Sequence, residues 1–219
     1  MENTTANGVE QPDLSTEQDY NNRGVERFQT GDIDGALADF DEAVRRNPSY
    51  KVAYANRGAV RHKAGNLEGA LADFDQALRL DLFDAVTYYN RGTVYYHLGD
   101  FGQALDDFDK AIRYQPGDYV EAYNNRGEAH LALGNHQHAL ADFEKALEVQ
   151  PGYPYAVAGL ALTLYASGCH EEALSHWRTL VDADPRYIDV GWLGEELNWV
   201  SALIEIAARL IGHLRRGSA

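Results

Sequence analysis

Along most of the chain, apolar positions recur at three- and four-residue intervals in stretches of about 13 residues, the spacing of amphipathic helices rather than strands. Gly31, Gly65, Gly99, Gly134 and Gly168 each fall between two such stretches, and Pro48, Pro116, Pro151 and Pro185 close four of the second stretches, with Leu82 in the remaining slot. Glycine after one helix and proline after the next are stop signals. The pattern therefore predicts paired helices, each pair a hairpin.

The pairs are copies of one another. Asn22-Arg23-Gly24, Asn56-Arg57-Gly58, Asn90-Arg91-Gly92 and Asn125-Arg126-Gly127 follow at spacings of 34, 34 and 35 residues. Ala36-Leu37, Ala70-Leu71, Ala104-Leu105, Ala139-Leu140 and Ala173-Leu174 keep the same period, as do Phe40, Phe74, Phe108, Phe143 and Trp177. One hairpin cannot bury its apolar face alone, so neighbours must stack, and the small residues let helix axes approach.

Charges repeat too. Arg23 and Asp39 lie equally far on either side of Gly31, and the same symmetry relates Arg57 to Asp73, Arg91 to Asp107 and Arg126 to Asp142. Antiparallel helices bring such residues level, which predicts an ion pair bracing each hairpin or bridging adjacent ones. In the fifth unit Leu160 and His176 replace both partners together.

These residues resemble the tetratricopeptide repeat family. The first unit reads Tyr20, Gly24, Ala36, Phe40, Ala43, Pro48, and three more match as closely, while the fifth, with Val157, Ala161, Leu164, Ala173, Trp177, Leu180 and Pro185, is degenerate. The family usually carries Leu where this chain has its repeated Arg. The resemblance implies an all-α, right-handed α-solenoid of five hairpins over 17–187, divided near 17–50, 51–84, 85–119, 120–153 and 154–187. It also implies that the first helix of each hairpin lines a concave groove. Helical spacing then places Phe28, His62, Tyr89, Tyr96, His97, Leu131, Leu162 and Tyr165 on the groove wall, beside Val25, Thr93, Asn124 and Glu128. Asn56, Asn90 and Asn125 are further candidates for contacting a partner or for structural bonding. The wall is expected to be apolar and aromatic, suited to a peptide or helix of another protein. One branch of the family grips Hsp70 and Hsp90 tails with Lys, Asn and Arg; the equivalents Asn21, Val25, Ala59, Tyr89 and Thr93 lack that clamp, so tail binding is not expected.

After Pro185 the pattern changes to Trp192, Leu193, Leu197, Trp199, Leu203, Ile204, Ile206, Ala207, Leu210, Ile211 and Leu214. It predicts helices near 189–197 and 202–214, with Ser201 as an N-cap, and a capping role for 188–214 ahead of a tail at 215–219. A docking or dimerising element is the alternative.

Composition narrows the function. Residues 1–16 are polar and acidic and predict a disordered leader without the basic start and apolar run of a secretory signal. No segment has the apolar length of a membrane span. The net charge of −15 disfavours nucleic acid, and one cysteine, Cys169, excludes an intramolecular disulfide. His136 and His138 invite a metal reading, but His136 and His170 occupy the slot of Ile33, Leu67 and Phe101, which hairpin packing explains. No phosphate loop, nucleophile elbow or isolated carboxylate pair appears. The expectation is a cytoplasmic scaffold or adaptor, without enzymatic activity, metal or cofactor, monomeric or homodimeric, and assisting complex assembly. The alternative is a self-associating subunit whose groove is filled by its own or a second copy's C-terminal helices.

Overall fold

The computed structural model describes residues 15–115 and 119–217. The leader up to residue 14, Pro116 and the last two residues of the tail lie outside the described residues. Helix pairs follow one another as α1 (Glu17–Gln29) and α2 (Ile33–Arg46), α3 (Lys51–Lys63) and α4 (Leu67–Leu80), and α5 (Ala85–Leu98) and α6 (Phe101–Tyr114). Next come α7 (Val120–Ala132) and α8 (His136–Val149), then α9 (Pro154–Ala166) and α10 (His170–Ala183). A 3-10 turn (Pro185–Ile188), α11 (Val190–Glu196) and α12 (Ser201–Gly217) complete the chain. No strand occurs among the described residues. The helices fall into two compact units, residues 1–82 with α1–α4 and 83–219 with α5–α12.

Each hairpin closes at a glycine in the left-handed region. Gly31, Gly65, Gly99, Gly134 and Gly168 have φ between 75° and 88°, a conformation that only a residue without Cβ adopts freely. Asp32, Asn66 and Asp100 follow and cap the next helix, accepting from the backbone N–H of Gly35, Gly69 and Gln103. The two helices then meet across an aromatic ring. A Cβ on Gly24, Gly58, Gly92 or Gly127 would stand 2.8–2.9 Å from the ring of Phe40, Phe74, Phe108 or Phe143, respectively. Each ring is buried, a contribution of about 1.5–3 kcal/mol apiece.

In the first unit, Phe40 of the first hairpin shares a core with Val60 of the second. In the second unit, Phe143 is pressed between Gly127 of its own hairpin and Gly159 of the next. The rings therefore fill space both within and between hairpins.

The repeated charges form bidentate pairs inside each of the first four hairpins. Arg57 Nε and Nη2 donate to the Asp73 carboxylate at 2.9 and 2.6 Å. Arg91 does the same to Asp107 at 2.7 and 2.8 Å, and Arg126 to Asp142 at 2.9 and 2.6 Å. Arg23 Nε donates to Asp39 at 2.8 Å. The four aspartates are buried, and the planar fork suits a carboxylate held at fixed orientation. The third guanidinium nitrogen adds a link that sequence symmetry does not reveal. Arg57 Nη1 donates to Asp41 of the preceding hairpin, and Arg126 Nη1 to Asp109, both at 2.6 Å. Bracing and bridging are thus performed by one side chain.

The C-terminal segment departs most from expectation. α11 begins at Val190, capped by Asp189, and α12 begins at Ser201 and runs past Gly212. Between them Asn198 has φ 51°, a left-handed conformation that asparagine tolerates better than most residues. The chain reverses there. Instead of only extending the stack, α12 packs against the first helices α7 and α9 as well as α10 and α11.

Candidate interaction surface

Within each unit the first helices of successive hairpins touch, α1 with α3 in one and α5, α7 and α9 in the other. Side chains one step round from the packing glycine therefore share a face. In the first unit that face carries Val25, Phe28, Asn56, Ala59 and His62, all partly exposed. Asn56 Nδ2 donates to Asn21 Oδ1 at 2.9 Å, tying α3 to α1. The Lys63 ammonium stands 5.3 Å from the Phe28 ring centroid, and burial lowers the pKa of His62.

In the second unit the corresponding asparagine also joins neighbours, Asn125 Nδ2 donating to Tyr89 Oη at 3.1 Å. Asn90 is half-buried on α5. Tyr89 lies between the rings of Phe108 and Tyr119, 6.0 and 5.2 Å away, and burial pushes its hydroxyl up to about 12.

This second face is covered by the chain itself. Tyr96, Leu131 and Leu162 are only 3%, 3% and 0% exposed. Leu131 and Leu162 join one core with Trp199, Leu203, Ala207, Leu210, Ile211 and Leu214, and Val200 packs into the cluster of Tyr96, Phe108 and Ala129. The α12 residues recur at the interval of one helical stripe. Tyr165 completes the contact, its hydroxyl donating to the Arg209 carbonyl at 3.2 Å. His97 is half-buried and lines a cleft of about 540 Å³ with Phe101, Gly194 and residues 198–202. The expected open wall is thus, in this unit, a surface seated with residues 197–214.

At the centre lies Glu128. It is 5% exposed, and Oε1 accepts from Asn124 Nδ2 at 2.9 Å and from Trp199 Nε1 at 3.2 Å. Burial pushes its carboxyl up from 4.5 to about 7, with Asn124, Trp199 and Tyr96 drawing it back down. Tyr96 Oη approaches without completing a hydrogen bond, and Asn124 Oδ1 also lacks a partner. Other units carry Val25, Ala59, Thr93 and Leu162 at this position. The single charged residue in an otherwise uncharged series was the available signal; the turn at Asn198 that brings Trp199 to it has no periodic one.

The raised pKa makes stability pH-dependent. Below about pH 4.5 folded and unfolded chains both carry the Glu128 proton; between 4.5 and about 7 the unfolded chain releases it first, so stability falls. The fall is expected to reach about 3 kcal/mol and to be complete above pH 7. The neighbouring titratable groups, Tyr89, Tyr96 and Tyr153, all have raised pKa values, so they stay neutral throughout. Denaturant unfolding at several pH values should show this loss as a difference between the wild type and Glu128→Gln, a comparison that removes the opposing contribution of His62 and His130, whose pKa values burial lowers; parallel curves would contradict it.

Among the described residues no group of three or more His, Cys, Asp or Glu side chains could hold a metal ion, and no helix is long and apolar enough to cross a membrane.

Family models described as tetratricopeptide repeat match residues 21–85, 83–151 and 130–190. No curated protein matches the chain in sequence. Among solved structures, a tetratricopeptide repeat protein from Parabacteroides merdae is 24% identical with a TM-score of 0.72, covering 92% of this chain and 75% of its own. MamA from Desulfovibrio magneticus is 19% identical with a TM-score of 0.70, covering 76% and 93%. YrrB, described as having an unusual peptide-binding site, is 25% identical with a TM-score of 0.62, covering 81% and 97%.

Proposed function

Because the chain belongs to the tetratricopeptide repeat family, whose members are protein-interaction scaffolds rather than enzymes, we propose that it is an adaptor that receives a helical or peptide segment of another protein on its first helices. The observation that carries this reading is the seating of 197–214 on α7 and α9. That face already holds an amphipathic helix by a leucine stripe and one buried hydrogen bond. YrrB, similar in fold, is described as peptide-binding. In the first unit, Phe28, Asn56 and His62 offer a partly exposed face of the same design. On this reading the adaptor works in the cytoplasm and assists assembly of the complex its partner belongs to.

A photo-crosslinking residue at Phe28 or His62 should capture the same protein from cells, while one at Arg45, exposed on α2, should not. Equal capture from both faces would sink the proposal. The second reading, in which a copy of the chain supplies the occupying helix, rests on the same seated segment. It requires the solution mass to rise with concentration.

A further inference from the structure

The buried knot around Glu128 is chemically incomplete. A carboxylate that has left water is ordinarily matched by a cation or by enough donors to saturate its oxygens. Here its neighbours are an amide, an indole and a phenol, all neutral. Trp199 brings a single N–H, directed at Oε1. Asn124 Oδ1 makes no hydrogen bond, and Tyr96 Oη, whose O–H is the third donor within reach of the carboxyl, completes none at good geometry. The carboxylate, the amide oxygen and the phenol oxygen together offer more lone pairs than the three neutral donors around them can fill.

A guanidinium has five N–H donors in a plane and a charge that persists at any working pH. It is the side chain whose donor count and charge answer that shortage. From this geometry we infer that the partner segment received by the second unit is an amphipathic helix carrying an arginine where Trp199 now sits, and that residues 197–214 are a resident occupant which that segment displaces. The inference rests on the reading that this face binds a helical segment, and it specifies that segment's chemistry. The stripe of Leu203, Ala207, Leu210, Ile211 and Leu214 shows what the rest of the face accepts. The net charge of −15 draws a basic segment toward the chain from a distance. Displacement needs such a gain because the resident helix is tethered, and tethering gives it an effective concentration in the millimolar range.

The test uses the full chain in two forms. The first carries Leu203→Asp and Leu210→Asp, which undock α12 and leave the receiving face intact, with folding of the hairpins checked by circular dichroism. Two fluorescein-labelled peptides of residues 197–217 are titrated against it by anisotropy, one of native sequence and one with Trp199→Arg. The arginine peptide is expected to bind at least about tenfold more tightly, a charge-assisted gain, and to lose that advantage when Glu128→Gln is added to the chain. Equal affinity of the two peptides would overturn the guanidinium assignment while leaving the helix-binding face standing. Absence of binding by either peptide would overturn both.

The second form is the full chain with Trp199→Arg alone, so the inference does not depend on the undocked variant folding. Hydrogen exchange of α12 is expected to be slower in Trp199→Arg than in Trp199→Leu. With Glu128→Gln present the order should disappear. Equal exchange in the two single variants would also overturn the assignment.

Discussion

Trp199→Ala is expected to destabilise the second unit by about 3–5 kcal/mol, the range for truncating a buried aromatic to alanine. The side chain is 6% exposed, and its ring lies 6.5 Å from that of Trp177, so its removal leaves a cavity between α12 and the hairpins. The loss has a polar part as well. Without the indole N–H, Glu128 keeps only Asn124 as a well-formed donor, and a buried acceptor deprived of its partner bears its desolvation cost alone. Two measurements check the result. Denaturant unfolding gives the magnitude, and hydrogen exchange should show faster exchange along α12 than in α5–α10. A loss below about 1 kcal/mol, with exchange unchanged, would mean that the segment is not held by this residue.

Asp73→Ala should cost about 3 kcal/mol, near the lower end of the range for breaking a buried pair because both arginines it serves keep some access to water. Asp73 is 3% exposed and receives Arg57 through two nitrogens and Arg61 through a third at 2.7 Å. Its removal takes the buried carboxylate from Arg61 and leaves Arg57 with the exposed Asp41 alone. The informative comparison is with Arg57→Met/Arg61→Met/Asp73→Leu, which replaces all three charges by apolar volume and should be the less damaging change despite altering more atoms. If the triple variant were as unstable as the single one, the ion cluster would be supplying net stability rather than fixing how the helices align.

The contrast between these two sites shows what the sequence makes legible. Whatever repeats every 34 or 35 residues is readable, because five copies of a turn glycine, an alanine and an aromatic leave one structural solution. The Arg and Asp positions follow from antiparallel symmetry about that glycine. The bridge from Arg57 to Asp41 escapes the same symmetry, since it depends on how hairpins stack and not on how one closes. The face of Tyr96, Leu131, Leu162 and Tyr165 was locatable from helical spacing, but its occupancy was not. The stripe from Trp199 to Leu214 reads equally well as a terminal cap or as a helix folded inward. Where α12 seats depends on the turn between α11 and α12, which includes the left-handed Asn198, and the path of a turn is not a periodic property. Glu128 was legible as a member of the wall and illegible as its centre, because its environment comes from Trp199, 71 residues further along.

The fifth hairpin joins its predecessor by different physics from the two arginine-linked junctions, that of α3–α4 with α1–α2 and that of α7–α8 with α5–α6. Arg57 and Arg126 reach back to Asp41 and Asp109, whose side chains are 58% and 54% exposed, so those couplings lie within reach of mobile ions. At the last junction Leu160 stands in the arginine slot, and the Phe143 ring against Gly159 makes the link by shape. Added salt therefore loosens these two couplings and leaves the last junction, the platform beneath α12, mechanically unchanged. Ionic strength and the seating of α12 become separable controls.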